Sequence, residues 1–85
     1  MDISRAEQRI LHLLAQGGSI HLLKTDIGEV AGFECYTRDG WLYPGVDARL
    51  FGKLKRKRAI ASRAGQPYRI TERGLQLVRA QPDNR

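Results

Sequence analysis

Ten consecutive residues, from Arg49 to Arg58, hold six cations (Arg49, Lys53, Lys55, Arg56, Lys57 and Arg58) and no anion. The chemistry open to such a run is the neutralisation of a polyanion, above all the phosphates of a nucleic acid. On a helix, about 100° per residue gathers Arg49, Lys53 and Arg56 on a face beside the apolar stripe Leu50, Phe51 and Leu54. Arg63 and Arg69 follow on either side of a Gly65-Gln66 turn. With Gln66 they could reach a minor groove or a second phosphate row, and Gly65 would let backbone come close. The candidate binding set is therefore Arg49, Lys53, Lys55, Arg56, Lys57, Arg58, Arg63 and Arg69. A plainer reading stands beside it. Cations at the C-terminal end of a helix suit its dipole, and Arg63 and Arg69 are ordinary hairpin residues. Nothing in the pattern predicts base-specific readout.

Other reactive residues point away from catalysis. Cys35 is the single cysteine, so it makes no internal disulfide, and a thiol nucleophile needs an adjacent base that the sequence does not supply. Its place in an alternating strand makes it a small core hydrophobe. His12 and His21 have no companions at metal-ligand spacing and read as structural, so neither a metal nor another cofactor is expected. Phosphate-cradling loops, carboxylate pairs and nucleophile elbows are lacking. The expectation is a binding protein and not an enzyme. Trp41 and Tyr43 could stack a base or anchor a protein interface, but residues of this kind more often close a small core. Gly52 falls inside the basic helix, where it costs about 0.5–1 kcal/mol relative to alanine. It reads as a tolerated surface residue, or as a point of close approach for a partner.

The chain has 85 residues, 41% of them apolar and a net charge of +6. That is enough for one core and too little for a core plus a deep cleft. The charge is lopsided. Residues 1–45 carry four basic and six acidic residues, whereas residues 46–85 carry eleven basic and three acidic. A basic half of this kind attracts polyanions, although charge also keeps small proteins soluble. The start Met1-Asp2-Ile3-Ser4-Arg5 opens no apolar run, and no stretch is long enough to span a bilayer. The expected location is the cytoplasm, away from any membrane.

The elements that must position these residues are legible. Ser4-Arg5-Ala6-Glu7 is a capping box opening a helix with Ala6, Ile10, Leu11, Leu13 and Leu14 at helical spacing, closed by Gly17-Gly18. A meander follows. Its strands are Ser19 to Lys24, Glu29 to Tyr36 with Ala31, Phe33 and Cys35 on one face, and Trp41 to Tyr43 after an Asp39-Gly40 turn. Asp47 caps the basic helix. Ala59 to Ser62 and Pro67 to Ile70 form a hairpin around Arg63 to Gln66. Thr71 caps a last helix with Leu75, Leu77 and Val78, which Pro82 stops, leaving residues 81–85 as a loose tail. The apolar stripes of the helices should share one core with Phe33, Trp41 and Ile60.

This reads as α+β: one domain over 1–85, with a helix and β meander in 1–45 and a basic, winged-helix-like half in 46–80. The likeness to a winged helix lies in the order basic helix, strand, turn, strand, capped helix. The usual second helix is replaced by the meander, which puts standard groove docking in question.

Across the whole chain, the sequence resembles the YjhX family of small bacterial toxins. The likeness is carried by Ser4 to Leu14 (SRAEQRILHLL), Glu34-Cys35-Tyr36-Thr37-Arg38, Lys53-Leu54-Lys55, Gly65-Gln66-Pro67-Tyr68-Arg69-Ile70 and the run from Val78 to Arg85. The resemblance implies a toxin that inhibits bacterial DNA topoisomerase I and is paired with an acetyltransferase-like antitoxin. It carries no functional residues across. Two functions are therefore expected in parallel: an inhibitor directed at topoisomerase I, or a winged-helix module, a transcriptional regulator, that binds double-stranded DNA.

Overall fold

Each helix begins where a short polar side chain replaces the missing backbone partners of the first turn. The computed structural model describes residues 3–80. In order, it contains α1 (Arg5–Ala15), β1 (Ser19–Lys24), β2 (Val30–Tyr36), β3 (Leu42–Tyr43), α2 (Ala48–Arg56), β4 (Ile60–Ala61), β5 (Arg69–Ile70) and α3 (Glu72–Arg79). Ser4 Oγ accepts the Glu7 N–H at 3.1 Å, and Glu7 Oε1 accepts the Ser4 N–H at 2.9 Å, closing the capping box both ways. Asp47 accepts the Leu50 N–H at 2.8 Å, and Thr71 accepts the Gly74 N–H at 3.0 Å. The Thr71 hydroxyl also donates to the Arg58 carbonyl at 2.6 Å, tying the exit of α2 to the start of α3.

The strands form a three-stranded antiparallel sheet in the order β1-β2-β3 and a separate β4-β5 hairpin. A single bridge joins them: Ile20 and Tyr68 exchange both backbone hydrogen bonds, at 2.9 and 2.8 Å. Register sets Ile20 opposite Cys35, Leu22 opposite Phe33, and Cys35 opposite Tyr43, so these residues share the face packed on the helices. The alternation expected for β2 stops at Ala31. Leu23 pairs with Gly32 but Lys24 with Val30, which makes Ala31 the extra residue of a bulge and leaves it exposed.

The core is built by Ile10, Leu11 and Leu14 of α1, Ile20 and Cys35 of the sheet, Leu50, Phe51 and Leu54 of α2, Ala59 and Ile60, and Leu77 and Val78 of α3. Three expected members stand elsewhere; of these, Leu75 is only half-buried and lies outside the cluster. Ala6 is exposed and Glu7 takes the inward place, only 2% accessible, because its carboxylate serves both the cap and an ion pair. Trp41 is 74% exposed. The strand starts only at Leu42, so Trp41 belongs to the turn. Its N–H donates to Thr37 Oγ1 and its carbonyl accepts the Thr37 N–H, which holds the residue at the rim, beyond the core layer that Tyr43 closes. The hairpin strands are also shorter than expected, at two residues each. Pro82 and the tail 81–85 lie outside the described residues.

Two glycines, Gly18 at the exit of α1 and Gly74 inside α3, are required by close packing. A side chain on Gly18 would collide with Leu13 and, at 2.6 Å, with the Tyr36 carbonyl oxygen; one on Gly74 would meet the Ala59 carbonyl oxygen and Ile70. Gly74→Ala gains helix propensity of about 1 kcal/mol, but the obstacle is backbone, so overpacking of about 1–3 kcal/mol prevails. The expected result is a Tm several degrees lower on thermal denaturation; an unchanged or higher Tm would show that α3 can shift away from β4 at no cost.

Candidate functional site

α2 carries the candidate site because its two sides differ. Leu50, Phe51 and Leu54 are buried, while Arg49 and Arg56 are exposed and Lys53 is half-buried. The structure brings Arg49, Lys53 and Arg56 onto one turn-spanning face, as the helical period requires. Among the described residues, none of Arg49, Lys53, Lys55, Arg56 and Arg58 forms an ion pair. Like charges at i, i+4 destabilise a helix by a few tenths of a kcal/mol per pair, so this face costs the fold some stability.

Lys57 has a different position. Its Nζ lies 2.7 Å from Glu7 Oε2, joining the end of α2 to the first turn of α1. Burial pushes the Glu7 carboxyl up. The Lys57 hydrogen bond, the Ser4 N–H and hydroxyl, and the Lys57 charge together outweigh burial and hold the carboxyl below its ordinary value. Lys57 is thus drawn into the scaffold, apart from the exposed cations. Sequence offered one signal for this: Glu7 recurs on the apolar side of α1 between Ile3 and Ile10.

Arg58 is the residue just past the helix and adopts φ +58°. The Ala59 N–H donates to the Leu54 carbonyl and the Arg58 N–H to the Lys55 carbonyl, both at 3.0 Å, which is a Schellman ending with arginine where glycine is usual. Lys55 lies to the other side of α2, its Nζ 5.8 Å from the centre of the Tyr68 ring.

The β4-β5 hairpin holds the remaining candidates. Ala64 (φ +50°) and Gly65 (φ +75°) are the central residues of its turn, and the Gln66 N–H closes onto the Arg63 carbonyl at 2.9 Å. Positive φ at both positions reverses the chain at the tip of the seven-residue connection 62–68 between β4 and β5. Arg63 and Arg69 are exposed and line one shallow concavity with Gln66 and Glu72. The Arg69 guanidinium reaches the Gly17 carbonyl at 3.4 Å, a weak tie between the hairpin and the end of α1.

Gly52 lies on the outer side of α2. The nearest atom to a Cβ placed there is Arg56 Nη1 at 3.8 Å. Gly52→Ala is therefore expected to raise stability by about 1 kcal/mol, a Tm gain of about 4–8 °C for a domain of this size. A loss of stability in thermal denaturation would contradict the open space found there.

The reactive groups outside this face are occupied structurally. Cys35 is buried, and burial pushes its thiol up to about 11. His21 contacts Ser19 Oγ at 3.1 Å and packs edge-on to Tyr36, whose hydroxyl donates to Glu34 at 2.9 Å. Among the described residues, no group of three or more His, Cys, Asp or Glu could hold a metal ion, and no helix is long and apolar enough to cross a membrane.

Residues 1–85 match the YjhX toxin family, described as "putative toxin of bacterial toxin-antitoxin pair". The chain belongs to this family. Its relatives include a UPF0386 protein of Hyphomonas neptunium, 69% identical over 84 residues that cover 99% of each chain. Others are UPF0386 proteins of Rhizobium etli, 66% identical, and Sinorhizobium fredii, 68% identical, each over 85 residues and the full length of both chains. No solved structure matches this family member.

Proposed function

We propose that this chain is a toxin-like inhibitor of bacterial DNA topoisomerase I that acts by binding, with the basic face of α2 set against the enzyme, its DNA, or both. The observation that carries the reading is that exposed cationic face, held without ion pairs among the described residues on a helix anchored by its apolar side. Membership of a toxin family supports the direction of the activity, and the target comes from the resemblance drawn from the sequence. The order α2, hairpin, α3 supports a winged-helix reading, with α2 as the recognition helix and the β4-β5 hairpin as the wing, which β1 meets through Ile20 and Tyr68. The β2-β3 meander stands where the second helix would be. The protein works by association and not by catalysis, in the cytoplasm where its target acts, and its counterpart is an acetyltransferase-like antitoxin.

A second reading is a winged-helix regulator that binds double-stranded DNA and has no toxin activity. The same cations, together with Arg63 and Arg69 on the wing, favour it. Relaxation of supercoiled plasmid by the cognate topoisomerase I, with rising amounts of this protein, separates the two. Inhibition at near-equal molar ratio to the enzyme is expected. Inhibition only when the protein coats the plasmid would leave the DNA-binding reading and remove the toxin one.

A further inference from the structure

An apolar groove of about 580 Å³ runs between α2 and the bulged end of β2. Its floor is a run of three rings. Phe33 and Phe51 have centroids 4.7 Å apart, and Phe51 meets Tyr68 edge-on at 4.9 Å. The outer two rings are only half-buried. The wall on the sheet side is low, because the bulge sets exposed Ala31 beside Gly32. Lys55 stands on the opposite rim, and Asp47 at the head already accepts the Leu50 N–H.

We propose that this groove seats an acidic amphipathic segment of a partner protein, the kind of segment that an antitoxin supplies. Cations that would complement its charge lie along one path beside the groove. At about 100° per residue, Gly52 falls between Lys55 on the groove side and Arg49 and Arg56 on the basic face. With no side chain at Gly52, nothing but the Arg56 guanidinium approaches the ridge between the two surfaces. A helix whose apolar side fills the groove can place carboxylates on Lys55 and, across Gly52, on Arg49 and Arg56. Helix-in-groove recognition uses such a stripe with charged flanks. The identity of the partner rests on the toxin reading; the chemistry of the groove does not. One consequence is that the occupant covers the same cations assigned to the target, so antitoxin and target compete.

The test uses the full chain and a short helical peptide with leucine and phenylalanine at i, i+3, i+4 and i+7 and glutamate elsewhere, beside a counterpart with every glutamate made lysine. Fluorescence anisotropy should show the acidic peptide binding at least about tenfold more tightly, the equivalent of about 1.4 kcal/mol. NMR shifts should map to Phe33, Phe51, Tyr68 and Gly52. Ala31→Glu, at an exposed position, should weaken the acidic peptide about tenfold while leaving inhibition of relaxation unchanged; Lys55→Glu should reverse the preference between peptides. Equal binding of the two peptides, or shifts confined to Arg49 and Arg56, would overturn the proposal. So would self-association that Ala31→Glu abolishes, which would make the occupant a second copy. Absence of inhibition by the wild-type chain would instead count against the function proposed above and leave the groove standing.

Discussion

Glu7→Ala is expected to cost this domain about 3 kcal/mol. The substitution removes the acidic partner of a lysine whose side chain is 20% exposed, and half of a capping box, in one step. Breaking a buried pair costs about 3–5 kcal/mol because it strands the other charge. Lys57 keeps some access to water, which lowers that figure, and the lost cap adds to it. A domain of this size has a margin of only about 5–10 kcal/mol, so urea denaturation should show a large fall in midpoint. The pH dependence tests the cause. The folded Glu7 carboxyl lies below its ordinary value of 4.5. The pair therefore contributes its stability above that value and loses it as pH falls through the lower, folded value. In Lys57→Ala, two of the four effects that hold the carboxyl down are gone. The carboxyl rises and the acid-induced loss flattens. A loss on acidification as steep as in the wild type would place the titration at another carboxylate.

The triple substitution Arg49→Ala, Lys53→Ala and Arg56→Ala should leave the fold near its wild-type stability and sharply weaken binding to duplex DNA. Arg49 and Arg56 are exposed and Lys53, beside Leu50, is half-buried, and removing like charges at helical spacing is neutral or mildly favourable. Each phosphate contact contributes close to one unit to the slope of log affinity against log salt. The variant should therefore lose about three units of slope and weaken about equally on all sequences, since phosphate contacts position without reading bases. An unchanged slope in a salt titration would take these residues out of the interface. The same variant in the relaxation assay says whether inhibition runs through this face.

Local features were readable because they depend on neighbours in the chain. The three caps at Ser4, Asp47 and Thr71 need only a short polar side chain and the next turn of backbone. The face shared by Arg49, Lys53 and Arg56 needs only the helical period. The β2 strand was legible as far as its alternation held, and failed at Ala31 because a bulge is a matter of pairing with β1. Trp41 was misplaced for a related reason. Parity along a strand says which way a residue points, not whether the sheet and its covering layer extend that far.

What distance in sequence separates, only packing decides. Lys57 reads as one more cation in a run of six, and fifty residues away Glu7 reads as a capping partner; only the crossing of α1 and α2 makes them one part-buried pair. Gly74 looks like a poor helix residue until the Ala59 carbonyl is found against it. The groove over Phe33, Phe51 and Tyr68 draws its floor from three separate elements, so no window of the sequence contains it. The sequence by itself determined the elements, their caps, the family and the cationic face of α2, because periodicity and capping are local. Which cations face outward, which glycines are obligatory and where an apolar partner can sit were decided by the tertiary structure, because burial is set by what packs on top.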